Sequence, residues 1–185
     1  IRNINIPKVV SFYGYECSGF PKRFLGLGKY YLNYRTFRYA DKILAMSDDM
    51  KKDLIEIGCP KEKIIVHYHG AKVKRFKAVH NYKEDPIVSF LIISGFAAQK
   101  GHVFLLKSFK KALKFNTNIS LTIVGDGAEK ENIVKAILDL KLQNHVDIKP
   151  FVVYGSEEHI NYFADYDVFI HPSLTDSNGD KEGIP

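Results

Sequence analysis

Short apolar runs alternate with helix-length amphipathic stretches along almost the whole chain. Lys8 to Tyr13 predicts a strand, Lys29 to Ala40 a helix, and Lys42 to Met46 a second strand. Ser47 is an N-cap, with Asp48 and Asp49 placing negative charge in the first turn of the helix that follows. There Met50, Leu54 and Ile57 recur at i, i+4 and i+7, and Gly58 with Pro60 ends the helix. Lys63 to Tyr68 is a third strand, rich in β-branched residues. The stretch Lys77 to Pro86 is polar and without period. Beyond it, Ile87 to Ser94 is a continuous apolar run of the kind covered on both faces. Helices are expected at 102–115, 128–141 and 156–165, the last opened by Ser156 with Glu157 and Glu158. Strands are expected at 119–124, 145–149 and 167–171.

Alternation of this kind predicts βαβ units and an α/β fold of doubly wound, parallel, Rossmann-like sheets. The polar stretch divides the chain into residues 1–78, a linker at 79–86, and residues 87–185. Such sheets bind ligands at the carboxyl ends of their strands. The stretches to inspect are therefore Tyr13 to Glu16, Gly70, Gly95 to Gly101, Gly125 to Gly127, and Pro172 to Pro185. Glycine recurs in all five, where backbone bends sharply or approaches a ligand, and this points to a polar, phosphorylated ligand.

Composition narrows the picture modestly. An apolar content of 45%, with 13 Phe and 11 Tyr, excludes a disordered chain. No apolar run reaches the roughly 18 residues of a membrane-spanning helix. The opening Ile1 to Pro7 is too short in apolar residues for a signal peptide. It carries no initiator Met, and the expectation is a start inside a larger protein. Cys17 and Cys59 are too few for a disulfide framework or metal cluster, which fits a reducing, cytoplasmic setting. The sequon Asn118-Ile119-Ser120 is then accidental, in a buried strand. The net charge of +6 permits an anionic partner, and Lys107, Lys110, Lys111 and Lys114 share one helix face. A solvated helix surface explains that face first and peripheral association with an anionic membrane second. Nucleic acid comes last, since no recognition motif accompanies the charge.

Gly125-Asp126-Gly127 joins a strand to a helix; it is either an ordinary tight turn or a place where backbone N–H groups face an anion. Lys100 closes the loop that opens at Gly95 and is either an exposed loop lysine or a point charge for phosphate oxygens. The loop is not a Walker A motif, because His102 follows Gly101. Asp176 to Glu182 is a poor calcium loop, with Lys181 where glycine is needed. His67, His69 and His80 lack a metal spacing, so no metal is expected.

Taken together the stretches resemble a known family. Ser47…Leu54…Gly58-Cys59-Pro60…Lys63-Ile64…Val66…Gly70…Phe76 resembles the end of the acceptor domain in retaining GT-B-fold glycosyltransferases of group 1, or family 4. Gly95 to Lys100-Gly101 resembles their "GR…KG" loop, and Ile123 to Gly127 their "IVGDG" turn. Tyr162 to Ser173, with Ala164, Asp165, Asp167, Val168 and Pro172, resembles "Y…ADV…PS". Glu182-Gly183-Ile184-Pro185 resembles the first half of an E-x7-E motif.

The resemblance implies the end of an acceptor domain followed by an incomplete donor domain, inactive alone. It also implies metal-independent, retaining transfer of a hexose from a nucleoside-diphosphate sugar to a saccharide or lipid-linked acceptor. Cell-surface polysaccharide synthesis, at the inner face of the membrane, is the expected setting. Lys100 would hold the diphosphate and Glu182 the sugar hydroxyls, these two being the catalytic candidates. N–H groups at Gly183 and Ile184 would face the distal phosphate. Gly95, Gly125, Asp126, Gly127, Pro172 and Ser173 complete the donor side, and Tyr13, Gly14, Glu16 and Gly70 the acceptor side. Phe96 departs from the family's Arg, Tyr13 from its His, Glu16 from its Asp, and Lys72 from the Asp common after Gly70. These departures motivate an alternative, a degenerate nucleotide-sugar-binding module without transfer. Other GT-B-like enzymes, epimerases or phosphorylases, are a third reading.

Overall fold

The structure is a computed structural model describing residues 6–70, 72–76 and 86–176. The chain divides into two compact units, Ile1–Gly70 with Thr175–Pro185, and Ala71–Leu174. The expected linker positions 79–85 lie outside the described residues.

In the first unit β1 (Val9–Ser11), β2 (Lys42–Ala45) and β3 (Ile64–Val66) form a parallel sheet in that order. Ile43 pairs with Val10 on one side and Ile64 on the other, and is fully buried. Helix α4 (Asp48–Glu56) begins as the sequence predicts, with Ser47 Oγ accepting from Met50 N at 3.2 Å. Met50 and Leu54 carry it onto a core of Phe12, Phe37, Ile43 and Ala45. Gly58, at φ 99°, turns the chain away in the left-handed region that glycine tolerates.

Two features differ from the periodicity. Residues 14–27, where no element is predicted, contain α1 (Tyr15–Ser18), a 3₁₀ turn (Phe20–Lys22) and a helical turn α2 (Arg23–Gly26). Phe24 and Leu25 in α2 have φ of 53° and 57°, a conformation costing roughly 1 kcal/mol or more per residue with a side chain. The helix expected at 29–40 is α3 (Gly28–Leu32) running into a π-helical turn, Asn33–Phe37. Arg38 N there donates to Asn33 O at 3.1 Å. Leu32 and Phe37 are both buried although five residues apart, and the widened turn turns both inward. Asn33 Nδ2 anchors it by donating to Ile57 O at 2.7 Å.

The second unit is a four-stranded parallel sheet, ordered β6 (Val146–Lys149), β5 (Ile119–Val124), β4 (Val88–Ile93) and β7 (Val168–Phe169). Side chains alternate along β4: Ile92 joins one core and its neighbour Leu91 another. Helices α5 (His102–Ala112) and α6 (Lys130–Asp139) bury Leu106, Phe109, Ile133 and Ile137 on the Ile92 side. Leu91, Val124 and Val152 meet Tyr162 of α7 (Glu157–Asp165) and Tyr166 on the other. Ser156 caps α7 through His159 N at 3.1 Å. Layers on both faces of a parallel sheet make this the doubly wound arrangement that the alternation implies. Among the described residues no helix is long and apolar enough to cross a membrane.

Candidate functional site

The chain runs from β4 outward to β5 and β6, then returns to place β7 on the other side of β4. This reversal makes the carboxyl ends of β4 and β7 the crevice where such sheets take ligands. The loops after β4 and β7 flank it and are drawn together. Leu174 N donates to Gln99 O at 2.8 Å. Gly101 sits at φ 70°, and a Cβ there would stand 2.1 Å from Pro172 O. Gly101 is therefore required twice, by its left-handed backbone and by the approach of the second loop.

The loop after β5 joins the same rim. Phe96 N donates to Asp126 O at 2.8 Å, and Glu129 N to Phe96 O at 3.0 Å. A Cβ on Gly125 would meet Ser94 O at 2.0 Å, and one on Gly127 would meet Phe96 O at 2.7 Å. These contacts set side by side the loops that carry Gly95 and Lys100, Gly125, Asp126 and Gly127, and Pro172 and Ser173. Glu182, Gly183 and Ile184 lie outside the described residues.

Lys100 ends the 3₁₀ turn Ala98–Lys100, immediately before Gly101 and the first turn of α5. An ammonium and a helix N-terminus at one rim both favour a negatively charged ligand. The turn after β5 has its own anion. Asp126 Oδ1 accepts from Gly127 N at 2.8 Å and Oδ2 pairs with Lys130 Nζ at 3.1 Å. The Gly127 N–H and then the lysine hold this carboxyl below its ordinary range. The Asp126 side chain therefore organises its own turn.

Phe96 does not face the crevice. It is 1% exposed, lies against Gly125, and meets the His102 ring edge-on at 5.0 Å. The loop position open to space is its neighbour Gly95, where a Cβ would meet nothing within 4 Å. A phosphate clamp is thus not simply exchanged for Phe96; the aromatic ring belongs to the core beneath the loops.

Sequence reasoning passed over two histidines here. His102, the first residue of α5, is 3% exposed, and its Nε2 lies 3.0 Å from Ser94 Oγ. Burial, aided by the charges of Lys100 and His171, pushes its imidazole down to about 4, so it is neutral at pH 7. Its Nδ1 is buried without a hydrogen-bond partner. His171 follows β7 and lies 2.9 Å through Nδ1 from Ser173 Oγ. Their signal in the sequence is position alone, one opening a helix and one following a strand end.

The acceptor-side candidates lie in the first unit, after β1 and β3. Glu16 Oε2 accepts from Tyr13 N at 3.3 Å and Gly14 N at 3.2 Å. This carboxylate thus closes the turn into α1, while Tyr13 meets the His69 ring edge-on at 6.1 Å. Gly70 is exposed. Among the described residues no cluster of His, Cys, Asp and Glu has a metal-binding arrangement. A cavity of about 810 Å³ lies at the opposite, amino end of the second sheet, lined by Ser89, Ser120 and Asp167. It is away from the glycine loops.

The chain has relatives among known proteins. The amylovoran biosynthesis glycosyltransferase AmsK of Erwinia amylovora is 28% identical over 151 residues, covering 82% of this chain and 37% of that protein. The uncharacterized glycosyltransferase MJ1059 of Methanocaldococcus jannaschii is 34% identical over 127 residues, covering 62% and 31%. This chain therefore spans about a third of the length of the curated relatives it matches. Among solved structures, Anabaena HepE in complex with UDP and glucose superposes with a TM-score of 0.73 at 19% identity, covering 92% of this chain and 47% of that one. A glycosyltransferase from Rickettsia africae gives 0.67 at 22% identity, covering 94% and 47%. These likenesses establish a Rossmann-like GT-B fold. The family model for glycosyl transferases group 1 matches residues 72–185, more than half of the chain, and the chain belongs to that family.

Proposed function

We propose that this chain supplies the donor-binding part of a retaining glycosyltransferase. In this reading a hexose passes from a nucleoside-diphosphate sugar to a saccharide or lipid-linked acceptor during polysaccharide synthesis. One observation carries it: Lys100 and the α5 N-terminus share a rim with the glycine loops at the β4–β7 reversal, inside the family match. A departing diphosphate develops charge that fixed cations and N–H groups stabilise without reorganising. Lys100 would take the diphosphate, with Glu182 on the sugar and Gly183 and Ile184 on the distal phosphate. Support for a uridine nucleotide comes from HepE, solved in complex with UDP-glucose, and for a polysaccharide product from AmsK. No metal has a part in this reading, and a cytoplasmic location at the inner membrane face accompanies it.

Isothermal titration of wild type and Lys100→Ala with UDP-glucose and GDP-mannose tests the reading. We expect one donor to bind and the variant to weaken it by about 1 to 3 kcal/mol, the scale of a charge-assisted contact. Equal affinity in both proteins would remove Lys100 from the site, and binding of neither donor would remove the reading. With an acceptor supplied, NMR of the product's anomeric proton distinguishes retention from inversion.

A further inference from the structure

The loop between β4 and α5 is clasped across its ends by side chains that the donor reading does not use. Ser94 stands at the end of β4, and its backbone N–H still donates to Val124 O of β5 at 3.1 Å. Two residues past Ile92, its side chain takes the same face of the sheet, the one that α5 covers. Its Oγ lies 3.0 Å from Nε2 of His102, the first residue of α5. Phe96, early in the loop, sets its ring edge-on to the same imidazole at 5.0 Å. The start of the loop is thus held to its end through one buried ring.

The hydrogens of this clasp have one favourable arrangement. The imidazole is neutral at pH 7, so one ring nitrogen carries a hydrogen and the other a lone pair. Nδ1 is buried without a hydrogen-bond partner. A hydrogen there would be a buried N–H with no acceptor, whereas a hydrogen on Nε2 is donated to Ser94 Oγ. Ser94 then accepts from the ring and keeps its own hydroxyl hydrogen. Among the described residues its Oγ is bonded to His102 alone. Ser94 is half-buried at the crevice end of its strand, beside Gly95, where a Cβ would meet nothing within 4 Å. On the same rim α5 begins without a side-chain cap, and the charge of Lys100 bears on the His102 ring.

We propose that Ser94 contacts the donor, its hydroxyl donating to a phosphate oxygen of the bound nucleotide, and that His102 is the positioning residue that aims this hydroxyl. A serine hydroxyl turns freely about its C–O bond unless a neighbour fixes it. Accepting from the ring fixes it here, so the donor is oriented before the anion arrives. The hydroxyl then complements Lys100, adding a directed hydrogen bond to a point charge. His102 acts through Ser94 and transfers no proton. The phosphate contact rests on the donor reading, whereas the clasp is a property of the free protein.

Two measurements test this. In the free protein, proton–nitrogen NMR of the imidazole should find the His102 hydrogen on Nε2 and Nδ1 bare. The opposite tautomer would direct the serine hydrogen to the ring and overturn the proposal. Chemical-shift titration of the 185-residue protein with UDP, GDP, uridine and guanosine follows the ligand. Ser94→Ala should weaken the diphosphate that wild type binds at least about tenfold and leave its nucleoside unchanged. Ser94→Thr keeps the hydroxyl and should bind as wild type does. His102→Leu removes a ring with an unpartnered buried nitrogen, so it should melt no lower than wild type and yet bind the diphosphate more weakly. His102→Gln retains an N–H donor and should recover most of that loss. Equal diphosphate affinity in wild type and Ser94→Ala would overturn the proposal and leave the donor reading standing. So would loss of nucleoside and diphosphate alike in His102→Leu, the mark of a general structural role. Binding of neither diphosphate by wild type would remove the donor reading and the phosphate contact with it.

Discussion

Phe96 illustrates how one side chain is read differently from sequence and from coordinates. Beside a phosphate-type loop it looks like a lost cation; in the fold its ring fills the space beneath Gly125. Phe96→Arg should therefore restore no donor affinity and should destabilise by at least about 3 kcal/mol, since it buries a charge and empties an aromatic site. Denaturant unfolding checks this; unchanged stability would show that the loop can turn the side chain outward. His102 makes the complementary case. Its folded imidazole is held near 4, against an ordinary 6.5, chiefly by burial. The unfolded chain takes up the proton first, so this contribution is complete above pH 6.5 and is lost as pH falls toward 4. We expect about 2–3 kcal/mol less stability at pH 4 than at pH 7 from this residue. His159, also lowered by burial, adds in the same direction. His102→Gln should flatten the profile in part, as urea unfolding across that range would show.

At the scale of elements, legibility followed the physical source of each signal. Strand β5 occurs at the expected 119–124 because Ile119, Leu121 and Ile123 alternate with Ser120 and Thr122 at the period of a strand. The starts of α4 and α7 were legible because Ser47 and Ser156 act locally, each oxygen reaching a backbone N–H three residues on. Residues 14–28 were not, since their order depends on distant partners. Gly28 packs where a Cβ would stand 2.1 Å from Phe20 O, and Asn33 holds Ile57 O. No periodicity encodes these. The site divides along the same line. Glycines at strand ends were visible as glycines, but the stitching of Gly101 to Pro172 and of Phe96 to Asp126 is a product of the sheet order 6-5-4-7. His102 gained interest only through burial, which its surroundings determine.

For the whole molecule, the cores carry the organising fact. Phe12, Phe37, Ile43, Met50 and Leu54 belong to one cluster, drawn entirely from the first unit. Ile92, Leu106, Ile123 and Ile133 belong to another, drawn from the second. A buried leucine stabilises mainly the side chains it touches, so a cavity in one cluster should be felt there first. Leu54→Ala and Leu106→Ala both truncate fully buried side chains, and each should cost about 2–5 kcal/mol within its own unit. In native-state hydrogen exchange, Leu54→Ala should accelerate amides of β2, β3 and α4 while leaving β4, β5 and α5 as in wild type. Leu106→Ala should give the converse pattern. Uniform acceleration by either variant would show the units to unfold as one, and donor affinity would then depend on both cores. Under the expected outcome, Leu54→Ala leaves the Lys100 rim intact and donor affinity as in wild type.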